Sequence, residues 1–132
     1  TEVVRVAMAL EEAISNAMYH CNLELTTDDL ATVGYDLDAP DTDTIVDIRR
    51  KTKPYCDRSI HVQADFSRDR IRVAVEDEGP GFDHASAKSP EDVIADGTLA
   101  GRGLAKMQLF CDEVTFNESG NVVTLIKHCN SA

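Results

Sequence analysis

The chain has 132 residues, of which 42% are hydrophobic and 28% are charged, as expected for one soluble domain with a single core. Its formal net charge of −11 argues against nucleic acid or an anionic membrane as the main partner, because both require a basic protein face. A nucleotide is not excluded, since it needs only a local pocket. No apolar run is long enough to span a bilayer and no signal peptide is visible, so a cytoplasmic location is expected.

The first predicted element is an amphipathic α-helix over residues 2–21. Its apolar residues recur at three- and four-residue steps and so share one stripe: Val3, Ala7, Leu10, Ile14, Ala17, Met18 and Cys21. The pattern is already running at Val3, with no capping residue before it. We therefore expect that the N-terminal part of the domain lies outside this sequence.

Residues 22–58 are less regular. The acidic loop at 36–43 is interpreted as solvated, because it begins a stretch without the glycine and the glutamate that a calcium-binding EF-hand loop needs at its sixth and twelfth positions. Thr42 or Asp43 is then the expected cap of a helix that runs through Ile45, Val46 and Ile48 and ends near Lys53-Pro54.

Two β-hairpins are predicted from alternating apolar and polar residues. The first joins residues 59–66 to residues 70–77 through a Ser-Arg-Asp turn, and each strand is expected to bury one face. The second joins residues 113–118 to residues 122–128 through Ser-Gly-Asn. Antiparallel hairpins combined with helices predict a single α+β domain over residues 1–132.

Between the hairpins lie a polar, irregular stretch at 84–100 and a helix predicted over residues 103–111. The chain has four cysteines, Cys21, Cys56, Cys111 and Cys129. They form no C-x-x-C pair, and no histidine lies near them at zinc-finger spacing. We interpret them as reduced thiols, as is usual in the cytoplasm.

A carboxylate ends the predicted core strand of the first hairpin, within the sequence VEDEGPGFDH. By the alternation of the strand, Asp77 points to the same face as Val73 and Val75, which is costly unless the carboxylate accepts hydrogen bonds. Gly79 and Gly81 then allow a sharp turn or a close approach of the backbone to a ligand. The stretch fits a ligand site and equally a tight surface turn in which Asp77 caps local amides.

A polar strip on the first helix is a second candidate. Glu12, Asn16 and His20 are four residues apart and so share one narrow side of the helix. The small Ala9 and Ala13 beside this strip would leave room for a ligand to approach. A solvated helix face is the alternative interpretation.

The segment AGRGLAKM is a third candidate. Gly101 and Gly103 precede the predicted helix, so free backbone N–H groups at its N-terminus would favour a phosphate, and Arg102 adds a positive charge. A plain loop before a helix is the alternative. The sequence contains neither a Walker lysine-serine pair nor a strand followed by G-x-G-x-x-G, so these two nucleotide motifs are excluded.

Taken in order, the motifs EEAISNA, DEGPGF and GRGL resemble the N, G1 and G2 boxes of the GHKL ATPases. This superfamily includes type II topoisomerases, mismatch-repair ATPases, a heat-shock chaperone and the catalytic domains of histidine kinases. Residues 1–21 and 59–128 are most similar to the anti-sigma-factor serine kinases of bacteria. The resemblance implies the Bergerat fold, a two-layer α/β sandwich with a mostly antiparallel mixed sheet and helices on one face.

The resemblance also implies roles for the matched residues. Asp77 would accept a hydrogen bond from the adenine amino group of ATP, Asn16 would bind Mg²⁺ on the phosphates, and Glu12 would be the general base. Residues 84–100 would form a mobile ATP lid. Gly79 and Gly81 would let the loop close over the base. Gly101 and Gly103 would form the C-terminal hinge of the lid beside the triphosphate, where their amides and Arg102 would hold the phosphates, and Leu104 follows in the same box.

The sequence departs from the family pattern in three places. Asn121 stands where a threonine usually lies near the adenine-binding aspartate, and its amide can still hydrogen-bond. Residues 22–58 form an insertion relative to the compact anti-sigma kinases. The family's first strand and much of its first helix have no counterpart here, and because that edge often makes the dimer, a homodimer stays an open expectation.

The function implied is that of an ATP- and Mg²⁺-dependent serine kinase that phosphorylates an anti-anti-sigma protein, with a sigma factor as a further partner, in bacterial transcription regulation. One alternative is the catalytic domain of a histidine kinase, although the sequence carries no histidine-bearing dimerisation helix. The other is a non-catalytic, nucleotide-gated module that sequesters a regulator, which the sequence does not separate from a slow kinase.

Overall fold

The computed structural model of the protein describes four ranges of the chain, residues 2–26, 28–30, 44–81 and 99–129. Within these ranges no helix is both long enough and apolar enough to cross a membrane. The helical elements used below are α1 (Glu2–Ser15), a π-helix (Asn16–Asn22), α2 (Ile45–Arg50), a 3₁₀ turn (Tyr55–Asp57) and α3 (Leu99–Phe110). The strands are β1 (His61–Phe66), β2 (Arg70–Glu76), β3 (Glu113–Phe116) and β4 (Val122–His128).

The sheet consists of the two predicted hairpins placed side by side. β1 pairs with β2 and β3 pairs with β4, which confirms both hairpins, and β2 and β4 join them in the order β1-β2-β4-β3. Every pairing among the described strands is antiparallel, with Val75 opposite Val123 and Val73 opposite Leu125 at the centre. The apolar residues of the two central strands therefore form one continuous surface.

The core lies between this surface and a layer formed by α1 and α3, so the predicted two-layer α+β arrangement is confirmed. Val75 and Leu125 are each 1% exposed, and Met107 of α3 is 2% exposed. The buried residues of the core come from α1, the π-helix, α3 with the cysteine that follows it, and the two central strands: Val6, Ala9, Ala13, Ala17, Ile71, Val73, Val75, Met107, Cys111, Val123 and Leu125.

The buried side of α1 differs from the predicted stripe. Ala9 and Ala13 are almost fully buried, whereas Val3 is 70% exposed. The two alanines that were expected to leave room for a ligand are therefore part of the core, because short side chains let the helix lie close to the layer beneath it. The larger Leu10 and Ile14 are only partly buried beside this contact.

The buried face predicted for β1 is wrong. All six residues of β1 are exposed, including Val62 and Phe66. These side chains do lie on the helix-covered side of the sheet, since Val62 pairs with Val75 and Phe66 with Ile71. The helices pack over β2, β4 and β3, however, and the edge strand β1 is left outside the layer.

Part of the unassigned stretch 22–58 builds a small second core. Leu23, Leu25 and Val46 are buried together and pack against partly buried aromatic and aliphatic neighbours. Burial of these apolar side chains therefore stabilises the packing of this stretch against the end of the π-helix.

The helix in this stretch begins later than predicted. The cap of α2 is Thr44, whose hydroxyl accepts a hydrogen bond from the Asp47 N–H while the Asp47 carboxylate accepts one from the Thr44 N–H. The predicted caps, Thr42 and Asp43, lie outside the described residues.

Candidate functional site

The helix that begins as α1 changes geometry at Asn16. From Asn16 to Asn22 the chain is π-helical, and the Leu23 N–H bonds to the Met18 carbonyl oxygen, five residues back, at 3.1 Å. The prediction of one helix over residues 2–21 has the right extent but the wrong geometry after Ser15. π-Helices are rare and often occur at functional sites.

His20, the third residue of the predicted polar strip, makes its contact elsewhere. The Nδ1 atom of His20 lies 2.9 Å from the Leu25 carbonyl oxygen, at the start of the second core. Glu12 and Asn16 remain together on the side of the helix that faces α3. The helical path therefore has two ends, and each of them meets a different glycine-rich motif.

The first, here named the Asp77 end, consists of Cys21, Asn22, Asp77, Gly79 and Gly81. Asp77 follows β2 directly and is 5% exposed, so the carboxylate points to the core side as the strand alternation predicted. Its Oδ1 accepts a hydrogen bond from the Gly79 N–H at 2.9 Å, and the Cys21 thiol donates a further one to the carboxylate. The buried charge is thus satisfied by hydrogen bonds, as its burial requires.

Burial also sets the protonation of this pair. It raises the pKa of the Asp77 carboxyl above the ordinary value, while hydrogen bonds from Gly79 and Cys21 and the charge of Arg58 act in the opposite direction. The pKa of the Cys21 thiol is raised to about 12, because the thiol is buried and lies beside the Asp77 charge. Cys21 is therefore a neutral donor to Asp77 at physiological pH.

Close backbone contacts require glycine at both positions of the DEGPGF turn. A Cβ atom on Gly79 would overlap the carbonyl oxygen of Cys21, and a Cβ atom on Gly81 would overlap that of Ser119. Gly81 also has a φ angle of +77°, which side chains disfavour. The turn is thus seated on the π-helix at one side and on the second hairpin at the other.

Asn121 connects the second hairpin to the Asp77 main chain. Its backbone carbonyl accepts a hydrogen bond from the Asp77 N–H at 2.9 Å, and its Nδ2 donates to the Asp77 carbonyl at 3.3 Å. Its Oδ1 accepts hydrogen bonds from Asn117 and Ser119. Asn121 therefore holds Asp77 in place, and a direct contact with adenine stays a prediction.

Asn22 belongs to the site although the sequence pattern did not single it out. It is 5% exposed; its Nδ2 donates to the Ser59 carbonyl at 3.0 Å and its Oδ1 accepts from the Glu78 N–H at 2.8 Å. One amide thus joins the π-helix to Ser59, two residues before β1, and to the glycine turn. Its partners are 37 and 56 residues away in sequence, so no local pattern could reveal them.

Two arginines attach the segment around α2 to the same place. Arg58 donates to the Asn22 carbonyl at 2.8 Å, and Arg49 donates to the Leu23 carbonyl at 2.7 Å. Both guanidinium groups lie over the ring of Tyr55, 5.3 and 4.7 Å from its centre. The predicted insertion is therefore a support for the Asp77 end.

The second, here named the Glu12 end, consists of Glu12, Asn16, Gly103 and Lys106. A Cβ atom on Gly103 would lie 3.0 Å from Asn16 Nδ2 and 3.1 Å from Glu12 Oε2, so glycine allows α3 to come close to both side chains. Lys106 Nζ lies 3.0 Å from the other carboxylate oxygen, Glu12 Oε1. Within the part of the chain that the structure describes, the Asn16 side chain makes no hydrogen bond.

α3 begins at Leu99, four residues before its predicted start. Gly101 and Gly103 therefore lie inside the helix and do not precede it, which corrects the predicted loop. Free N–H groups belong to the first turn of a helix, which includes Gly101, whereas Gly103 lies in the second turn and provides close approach. Leu104 is partly exposed beside it.

Two predictions fall on residues that the structure does not describe. The side chain of Arg102 is outside the described residues, and so are positions 84–98 of the predicted lid. The last two positions of that lid, 99 and 100, open α3.

One family of known proteins matches nearly the whole chain. The model of the histidine kinase-like ATPase domain matches residues 1–127, which includes every residue of both ends. No curated protein and no solved structure gives a significant match. The chain therefore belongs to the histidine kinase-like ATPase domain family, whose members bind ATP for kinase-type chemistry.

Proposed function

We propose that this domain is an ATP- and Mg²⁺-dependent serine kinase of the anti-sigma type, acting on an anti-anti-sigma protein. The observation that carries the proposal is the single helical path from Glu12 to Asn22, which both glycine motifs approach. Gly103 comes close to it at Glu12 and Asn16, and Gly79 does so at Cys21. One nucleotide lying along this path would reach both ends at once.

The Asp77 end offers what an adenine ring requires. Oδ1 of Asp77 accepts the Gly79 N–H, and an ionised carboxylate has further acceptor positions for the amino group of adenine. Guanine has an oxygen at the corresponding ring position, which would face the carboxylate with no proton to donate. A buried acceptor left unpaired in this way discriminates strongly between ligands.

The Glu12 end fits magnesium and phosphate. An amide oxygen such as that of Asn16 is a suitable ligand for Mg²⁺, which proteins usually hold together with phosphate oxygens and water. The bound ion would neutralise charge on the phosphates during transfer. The space beside Asn16 is the space that a side chain on Gly103 would fill, and free amides in the first turn of α3, Gly101 included, favour an anion.

Glu12 is the proposed general base. Its carboxylate would take the proton of the substrate serine while the serine oxygen forms a bond to the γ-phosphorus. The bond from that phosphorus to the bridging oxygen of ADP breaks, and its electron pair leaves with ADP. A base in this role contributes roughly 10²- to 10⁴-fold to the rate.

The test compares Glu12→Gln with Glu11→Gln, the same change at the exposed neighbouring residue. Phosphotransfer to an anti-anti-sigma protein should fall about 100-fold or more in Glu12→Gln and stay unchanged in Glu11→Gln. ATP–Mg²⁺ affinity, measured by calorimetry, should remain within about threefold of the parent in both variants.

Asn16→Ala separates binding from rate at the same end. It should weaken the magnesium-dependent part of ATP affinity, because it removes the proposed ligand. If the parent binds ATP but transfers no phosphate to any such partner, the domain is a nucleotide-gated binding module and the kinase proposal is wrong.

A further inference from the structure

The two oxygens of the Glu12 carboxylate meet two successive positions on one face of α3. Oε2 faces Gly103, and Oε1 lies 3.0 Å from the Nζ of Lys106, three residues further along. Residues three apart on a helix lie on the same side, one turn above each other. The ion pair thus favours one orientation of the carboxylate, with one oxygen engaged by Lys106 and the other directed to the space beside Asn16.

We propose that Lys106 is a positioning residue that holds Glu12 as a base, a role that rests on the serine-kinase function proposed above. A general base is effective when a third group fixes its orientation, because the reacting oxygen must then point at the proton that it removes. Lys106 occupies Oε1 and so leaves Oε2, on the Gly103 side, as the oxygen that receives the serine proton.

The exposure of this pair separates such a role from a structural one. The Lys106 side chain is 55% exposed and that of Glu12 is 26% exposed. Ion pairs this open to solvent contribute little to folding stability. Loss of the lysine charge should therefore change the melting temperature by no more than about 4 °C, while the catalytic step is affected.

The experiment measures phosphotransfer rate and ATP–Mg²⁺ affinity in Lys106→Met, Lys106→Arg and the double variant with Glu12→Gln. Methionine keeps the apolar stem of the side chain and removes the charge. Lys106→Met should lower the rate about tenfold with affinity within about threefold of the parent, and Lys106→Arg should recover part of the rate. When Lys106→Met is added to Glu12→Gln, the rate should fall by less than about twofold further, because the carboxylate that Lys106 orients is already absent.

The control is Lys127→Met, which removes a different ion pair, that of Lys127 in β4 with Asp112, the residue before β3, at 3.4 Å. It should leave rate and affinity unchanged. A tenfold loss of rate that persists in the Glu12→Gln background, or a loss of ATP affinity in Lys106→Met, would mean that Lys106 contacts phosphate directly and would overturn the positioning role.

Two further outcomes separate this inference from the function on which it rests. An active parent whose rate is unaffected by Lys106→Met overturns the role of Lys106 alone. A parent that binds ATP and transfers no phosphate overturns the kinase function and the role of Lys106 together.

Discussion

The two ends of the candidate site are held in place by different means. At the Asp77 end, Asp77 is 5% exposed, its carboxylate accepts hydrogen bonds from the Gly79 N–H and a neutral thiol, and backbone oxygens pack closely against the two glycines of the turn. At the Glu12 end, the contacts join flexible side chains that are partly open to solvent. The first arrangement changes only if the backbone moves, whereas the second changes by rotation of side chains.

This difference suits the two tasks of a nucleotide-using enzyme. A fixed, buried acceptor selects one base, because any alternative ligand leaves it unpaired. An adjustable set of charges suits a reaction in which a proton and a phosphoryl group move. The rigid Asp77 end and the adjustable Glu12 end should therefore respond differently to the same kind of substitution.

The largest contrast is expected from an alanine at one glycine of each end. Gly81→Ala should lower the free energy of unfolding by about 3 kcal/mol or more, because it adds strain at positive φ to a clash with a backbone oxygen. Gly103→Ala should change it by less than about 1 kcal/mol, since helix propensity favours alanine and the neighbouring side chains can rotate. Urea denaturation measures both, and equal losses would contradict the comparison.

Asp77→Asn should abolish selection of the base. ATP affinity should fall at least about 100-fold, equivalent to about 2.7 kcal/mol, because the amide can place a donor against the donating amino group of adenine. The fold should survive, since the change keeps size and shape. Asp65→Asn, at an exposed position of β1, is the matched control and should bind ATP like the parent in calorimetry. Unchanged affinity in Asp77→Asn would remove Asp77 from the adenine site.

Asn22→Ala should destabilise the Asp77 end by removing the hydrogen bonds that support its glycine turn. It leaves the Glu78 N–H and the Ser59 carbonyl without their partner, which should lower the free energy of unfolding by about 1–3 kcal/mol. Gln63→Ala, on the exposed strand β1, should change it by less than about 0.5 kcal/mol. Denaturant midpoints of the two variants check this, and a neutral Asn22→Ala would show that the turn does not depend on this amide.

The smallest effect is a pH dependence of stability from Asp77. Because burial raises its pKa in the folded protein, this group favours folding while it is protonated, and that contribution is lost as pH rises from the ordinary aspartate pKa through the raised one. The stability of Asp77→Asn relative to the parent should therefore increase as the pH rises through and above the ordinary aspartate pKa. A stability difference between the two proteins that does not change with pH would mean that burial does not raise the pKa of the Asp77 carboxyl.

The sequence predicted those features of the site that depend on short-range patterns. Strand alternation placed Asp77 on the core side, and helix spacing placed Glu12 beside Asn16. Paired glycines marked the turn that follows β2. Each of these depends on residues within about eight positions of one another, which is the range over which periodicity carries information.

The features that it missed are set by contacts between distant segments. Asn22 is part of the site because of partners at Ser59 and Glu78, and the exposure of β1 follows from where the helices pack across the sheet. The sequence does not identify Ala9 and Ala13 as core residues, because a helical pattern gives the relative angles of side chains but not which angle faces the sheet. The start of α3 was placed four residues late because glycines are poor indicators of a helix interior.

The number of residues in the π-helix between Asn16 and Asn22 determines how long a ligand must be to contact both ends of the site. Asn16 is fixed beside Gly103 and Asn22 beside Glu78, so the residues between them set the distance from one end of the site to the other. Deletion of a single residue there would shorten this path and rotate the two ends relative to each other. A ligand that spans the whole path would then lose its contacts at one end. Adenosine, which needs only the Asp77 end, would not be affected by the deletion in this way.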